Sequence, residues 1–224
     1  MNDKFLKIEQ KITELPQLEA ALKKNTMKYI LLTLFILIIT FVIAQGFIAK
    51  NTSNTGQIPY NTLAKFENFE IRFYPELIVA STALPQNGYS ENSRLGFRKI
   101  AGYIFGGNST NTQISMTSPV QMKMDNESSM SFYMPPTMNI EDLPTPNNAQ
   151  ILVEQQPSKT VAVMRFSGWA SDQILEKKYQ ELKCLLEANN IEFQDDYEYL
   201  GYNPPYQLIN RINEVTIELV DYSI

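Results

Sequence analysis

The sequence predicts an α+β fold in which a strand-helix-strand-strand unit occurs twice, preceded by one transmembrane helix. Three observations predict it. Between Leu63 and the C-terminus, strand-like alternation and 3.6-residue helical periodicity change places twice in the same order. Each of the two helices so marked is apolar on one stripe only, and such a helix must cover a sheet. Finally, Tyr29 to Ala49 contains no charged residue, and a helix of that length rises roughly 30 Å, the thickness of a hydrocarbon core.

Taken in order, residues 1–28 are polar, with Phe5, Ile8, Ile12 and Leu15 spaced as one helix face until Pro16 interrupts it. Asp3, Glu9 and Glu14 are mixed with Lys4, Lys7 and Lys11, a balance that suits a solvated helix better than one held on anionic lipid. Residues 29–49 read as the membrane span. A buried core helix would need a much larger protein around it, and a cleaved signal peptide would have a shorter apolar stretch and a shorter lead, although Val42-Ile43-Ala44 offers a small-residue end. The retained anchor is favoured. Lys23, Lys24 and Lys28 precede the span and only Lys50 closely follows it, so the N-terminus is expected in the cytoplasm and the remainder on the extracytoplasmic side. Residues 50–62 form a polar linker containing Gly56 and Pro59. Asn51, Asn108 and Asn126 each open a glycosylation tripeptide, which matters only in a eukaryotic secretory route.

Residues 63–224 make the globular domain. In its first cycle Glu70–Tyr74 and Leu77–Thr82 read as strands. Ser90 or a nearby asparagine then caps a helix whose stripe is Phe97, Ile100, Ala101 and Ile104, with Arg94 and Arg98 one turn apart on its edge. Gly106 and Gly107 stop it. Ile114–Met124 alternates as a strand interrupted by Pro119, Met130–Met134 follows, and a proline-rich connection runs from Pro135 to Pro146. The second cycle has strands at Ile151–Gln155 and Val161–Ser167. Its helix is capped by Ser171 or Asp172 and ends at Asn189-Asn190. Strands near Tyr197–Tyr202, Tyr206–Arg211 and Val215–Val220 close the chain. A pseudo-twofold arrangement of the two cycles would leave a cleft between them.

Composition excludes several function classes. The net charge of −5 and the lack of any long basic run disfavour a nucleic-acid partner. With no histidine in the chain, the usual catalytic triads and zincin sites are impossible and so is histidine ligation of haem iron. Cys184 is the only cysteine, so there is no intrachain disulfide. It points away from Leu175, Tyr179, Leu182 and Leu186 on its helix, as an incidental thiol would.

Several ordered motifs resemble those of the SOUL haem-binding family. They are Phe69-Glu-Ile-Arg-Phe-Tyr-Pro75, Phe97 through Asn108, Ile114-Ser-Met-Thr-Ser-Pro-Val120, Phe132-Tyr-Met-Pro135, Arg165-Phe-Ser-Gly168, Gly201-Tyr-Asn-Pro-Pro205 and Arg211-Ile-Asn-Glu-Val215. The resemblance runs from about Phe66 to Leu219. It implies a distorted antiparallel β-barrel flanked by two helices, related to gyrase-inhibitor-like effector-binding domains, and a haem or other tetrapyrrole as a ligand that is not tightly held. It places that ligand between the first helix of the domain and a loop between two late strands, here Arg94–Phe105 and Tyr202-Asn-Pro-Pro-Tyr206. The expected contacts are Arg94, Phe97, Arg98, Ala101, Ile104, Tyr202, Pro204, Pro205 and Tyr206.

The chemistry of those residues is compatible with the role. Apolar side chains cover a macrocycle, and arginines at i and i+4 can meet two propionates with bidentate hydrogen bonds. The alternative is that both arginines are solvated, Arg94 pairing with Glu91. An axial ligand would have to be methionine, tyrosine, lysine or Cys184, and Met116 and Met122 lie nearest in sequence to the helix. Methionines alternating on a strand usually fill a core. Glu214 faces away from Arg211, Asn213 and Val215 on the last strand, either inside a cleft where it could hold a cationic ligand, or on a solvent-facing side of the strand, or paired with an arginine. The expectation is a membrane-anchored tetrapyrrole-binding protein, with bilayer contact through residues 29–49, that is not an enzyme. A module sensing a small amphipathic effector in the same cleft is the alternative.

Overall fold

The computed structural model describes the backbone of residues 2–53, 56–85, 88–124 and 128–222, and side chains from 25 onward within these, except 49 and 51–53, together with Lys23. The chain divides into two units, Met1–Ile48 and Ala49–Ile224.

The first unit is one helix, α1, which continues to Ser53 (Asn2–Ser53). It passes through Pro16 instead of ending there, since one proline removes one backbone hydrogen bond from a helix that keeps the rest. The face proposed from Phe5, Ile8, Ile12 and Leu15 lies outside the described side chains. Asn25–Ile48 is long and apolar enough to cross a membrane, and its side chains are almost all exposed. Its polar side chains include two threonines that need no water. Thr33 Oγ1 donates to Tyr29 O at 2.8 Å and Thr40 Oγ1 to Ile36 O at 3.0 Å.

The second unit is built on strands β1 (Asn61–Lys65), β2 (Glu70–Tyr74), β3 (Leu77–Ala83), β4 (Val120–Lys123), β5 (Ser129–Tyr133), β6 (Leu152–Gln156), β7 (Lys159–Ser167), β8 (Glu198–Gly201) and β9 (Ile212–Glu218), with helices α2 (Gly88–Ile104) and α3 (Asp172–Ala188). All pairings are antiparallel, in the order β1-β2-β7-β9-β8-β4-β5-β3-β6. The duplication is legible in that order. β4 and β8 pair at the centre, β5 and β9 flank them, then β3 and β7. The leading strands are exchanged, so that β2 pairs with β7 of the second cycle and β6 with β3 of the first. The sheet curls into a half-barrel with β1 and β6 as its free edges.

One expected strand is shorter than its alternation suggests, and another is absent. Of Ile114–Met124 only Val120–Lys123 pairs. Just before it, Ser118 bonds to the incoming chain, its N–H to Gly56 O at 2.9 Å and its carbonyl accepting from Ile58 N at 3.3 Å. The stretch read as a linker is thus docked from Gly56 onward, with Ile58 buried. Tyr206–Arg211 is a loop whose carbonyls are taken by its own side chains, as described below.

Alternation makes both faces of the sheet work. One carries Ile71, Ala80, Met122, Phe132, Met164, Val215 and Ile217, and is covered by α2 through Ile100 and Ile104 and by α3 through Leu175, Leu182 and Leu186. Burying each such side chain contributes about 1.5–3 kcal/mol. α2 approaches closely at Gly96, where a Cβ would stand 3.0 Å from both the Cβ and the Sδ of Met130. Its first turn is capped not by Ser90 but from the other cycle. Asp172 accepts from Tyr89 N at 2.5 Å and from Ser90 Oγ at 2.7 Å, so one carboxylate in the first turn of α3 satisfies orphan groups of α2. Gly88, at φ +78°, leaves the room this carboxylate needs. The opposite face of the sheet is polar at its centre and equally buried: Arg72, Gln121, Thr216 and Glu214 lie there among Val79, Tyr133, Val161 and Val163.

Candidate ligand-binding site

The register places the parts of the expected cleft. Val120 pairs with Phe132 on one side and with Gly201 on the other. Phe97 packs on Phe132 with ring centroids 5.3 Å apart, and Tyr89 meets the ring of Tyr199 edge-on at 5.0 Å. α2 therefore lies over β3 and β5, and Tyr89 in its first turn reaches across to β8. The loop that follows Gly201 starts two strands from Phe132, roughly 9–10 Å away. Between the two stands the half-buried Val120.

The predicted contacts divide into those that face this region and those that do not. Arg94 and Arg98 are exposed on α2, and among the described residues neither makes a hydrogen bond or ion pair, so the Arg94–Glu91 pairing does not form. Phe97 is half-buried. Ile104, at 1% exposure, and Ala101, at 8%, are both buried against the sheet. The reason is the helix itself, because the stripe that marks it as amphipathic is the stripe the sheet covers. Its outer side instead presents Leu95, and Phe105 just beyond its end is also exposed. Of the methionines considered for iron, Met122 is buried and Met116 partly exposed. Cys184 is exposed on α3. Among the described residues no cluster of three or more Cys, Asp or Glu could hold a metal.

On the loop, Pro205 and Tyr206 are exposed and Pro204 half-buried. Tyr202 is turned inward, its hydroxyl donating to Glu214 Oε2 at 2.7 Å. Glu214 also accepts both Nη atoms of Arg72, at 2.9 and 3.0 Å, and Nε and Nη2 of Arg165, at 2.9 and 2.7 Å. Burial pushes its carboxyl up, but the Arg72 hydrogen bonds and charge, with Tyr202 and Arg165, overcome this and hold it below its ordinary value. Arg72 also contacts Glu70 and receives the Tyr60 ring 4.2 Å from its guanidinium. Tyr74, beside it, is pushed up to about 12 by burial, against the opposing pull of Arg72. Of the options open for Glu214, the arginine pairing is the one formed, and at 0% exposure the carboxylate does not face solvent.

Reasoning from sequence missed the far end of the loop. Arg211 stacks on Trp169 with 4.2 Å from guanidinium to ring centroid and donates to the carbonyls of Pro204 (2.9 Å), Gln207 (2.8 Å) and Asn203 (3.4 Å). No local signal joins residues 169 and 211; only the β7–β9 register does, through Ser167 opposite Ile212. A separate open groove of about 690 Å³ runs beside α3 past Arg165, Lys178 and Cys184. It contains none of the predicted contacts.

These features define an α+β domain built from a duplicated strand-helix-strand-strand unit. The chain belongs to the SOUL heme-binding protein family, whose model matches residues 55–218. It is similar to Heme-binding protein 2 of Mus musculus, with 30% identity over 66% of this chain and 76% of the relative, and to Heme-binding protein 1 of Xenopus laevis, with 26% identity over 66% and 81%. Among solved structures the C-terminal domain of EcmrR has the same fold, with a TM-score of 0.52 at 13% identity, covering 74% of this chain and all of that one.

Proposed function

We propose that this protein is a membrane-anchored tetrapyrrole binder, holding haem or a related macrocycle between α2 and the β8–β9 loop without a histidine on the iron. The observation that carries the reading is the pair of exposed, unpaired guanidiniums of Arg94 and Arg98 beside the half-exposed Phe97, in a chain of the SOUL family. Two cations at that spacing suit the propionate edge of a porphyrin, and Phe97, Val120 and Tyr206 offer it apolar contact. Binding, transport or buffering is the role, not catalysis. Asn25–Ile48 is the anchor, with the N-terminus cytoplasmic and the domain on the other side of the bilayer.

Titrating the full-length protein in detergent with hemin tests this. A shifted Soret band and quenched Trp169 emission are expected; unchanged spectra would refute the reading. The effector-sensing alternative needs an inward carboxylate open to a ligand, and Glu214 is already held by Arg72, Arg165 and Tyr202.

A further inference from the structure

The β8–β9 loop has a wiring that tetrapyrrole binding does not require. From Gly201 to Asn213 it contains no Asp, Glu or Lys, and its one cation, Arg211, is buried. Five of its carbonyls are met by its own side chains: those of Asn203, Pro204 and Gln207 by Arg211, and those of Ile209 and Asn210 by the Gln207 amide at 3.0 and 3.3 Å. An exposed loop in water has no need of this, because water satisfies its carbonyls. A segment that leaves water does need it, since an unmet polar backbone group costs several kcal/mol in an apolar medium. Outward, the same loop presents Tyr206, Leu208, Ile209 and Ile212, flanked by Trp169, which is 52% exposed.

The incoming chain reaches the domain beside this loop. Ser118, which binds Gly56 and Ile58, also donates from Oγ to the carbonyl of Tyr202 at 3.4 Å. Only Ala49 to Thr55 separate Gly56 from Ile48, the end of the apolar stretch. Even fully extended, that segment reaches at most roughly 25 Å.

We propose that the apolar tip formed by Trp169, Leu208 and Ile209 docks on the surface of the lipid bilayer, at the boundary between headgroups and acyl chains. This goes beyond the ligand reading, and rests on the reading of Asn25–Ile48 as a membrane span. Lipid is the occupant the observations favour. The tip carries no acidic or lysine side chain for a protein partner to read, five of its carbonyls are already met from within, and the short tether keeps the domain within reach of lipid. Tryptophan and tyrosine are the side chains that settle at that boundary.

Trp169 is the only tryptophan in the chain, so its emission reports on the tip without background from α1. The full-length protein would be reconstituted in phosphatidylcholine liposomes, with and without lipid brominated near the top of the acyl chain. The protein is expected to float with the liposomes, to show blue-shifted Trp169 emission and to lose most of that emission to brominated lipid. Leu208→Asp with Ile209→Asp, both at exposed positions, should restore water-like emission and abolish the quenching, with near-ultraviolet circular dichroism unchanged. Failure to float would remove the span and the docking together. Flotation with water-like, unquenched emission in the unmodified protein would remove the docking alone, as would quenching that a correctly folded double variant retains.

Discussion

Arg72 and Glu214, 142 residues apart, meet as a bidentate ion pair with 1% and 0% of their side chains exposed. They lie on β2 and β9, which are not neighbours; β7 runs between them. The pair therefore spans three strands on the face of the sheet away from the helices, and ties the exchanged strand β2 to the centre of the half-barrel. Desolvating two charges is costly, and what offsets it is the number of further partners: Glu70 and Tyr74 on the arginine, Tyr202 and Arg165 on the carboxylate.

Breaking the pair is expected to cost more than removing it. Glu214→Gln leaves a buried guanidinium without its main counter-ion and should destabilise the domain by about 3 kcal/mol, the low end of the range for such a break, because Glu70 remains. Arg72→Met combined with Glu214→Leu should recover most of this, Arg165 being exposed enough to turn to water. Urea unfolding of the single and double variants measures both. A double variant as unstable as the single would show that the site depends on the charges themselves.

The same pair sets a pH dependence. Because the Glu214 carboxyl lies below its ordinary value in the folded protein, the stability it contributes is fully present above the unfolded value, about 4.3, and is lost as pH falls through the folded one. Thermal midpoints followed from pH 7 to pH 3 should fall more steeply for the unmodified protein than for the Arg72→Met, Glu214→Leu double variant. Asp172 and Asp195 are also lowered, but both proteins retain them, so the difference between the curves isolates the pair.

At the proposed ligand site, Arg94→Ala with Arg98→Ala should weaken a dicarboxylic porphyrin by roughly 5- to 30-fold, taking 0.5–1 kcal/mol for each exposed charge contact. The dimethyl ester should lose little. Parallel fluorescence titrations compare the two, and equal losses would remove the propionate role.

Arg211→Lys keeps the charge but loses the planar fork that reaches three carbonyls. Each hydrogen bond from a charged group is worth about 1.5–3 kcal/mol, so local opening should speed amide exchange in residues 203–210 by roughly 10- to 100-fold. Exchange in the core strands should hardly change. Hydrogen exchange resolved by mass spectrometry reads both, and unaltered loop rates would mean that Arg211 does not organise it.

Local periodicity was enough to read the duplicated element order, the start of α3 at Ser171 or Asp172, the apolar stripes of α2 and α3 and the charge-free stretch in α1. Each of these depends only on residues a few positions apart. What covers the α2 stripe was not legible, because the spacing that puts Ile100, Ala101 and Ile104 on one face says nothing of what packs on that face, and here the sheet does. Nor was the exchange of β2 and β6, the capping of α2 by Asp172, or the stacking of Arg211 on Trp169. Alternation on β9 correctly set Glu214 apart from Asn213 and Val215. That its face is buried as deeply as the other follows from the curl of the sheet, which brings β2 and Arg72 over it. Sequence by itself determined most of the elements and their order, through short-range periodicity and capping; the tertiary structure decided which stretches pair as strands and which polar groups meet, because both depend on strand register and on surfaces that exist only once the chain has folded.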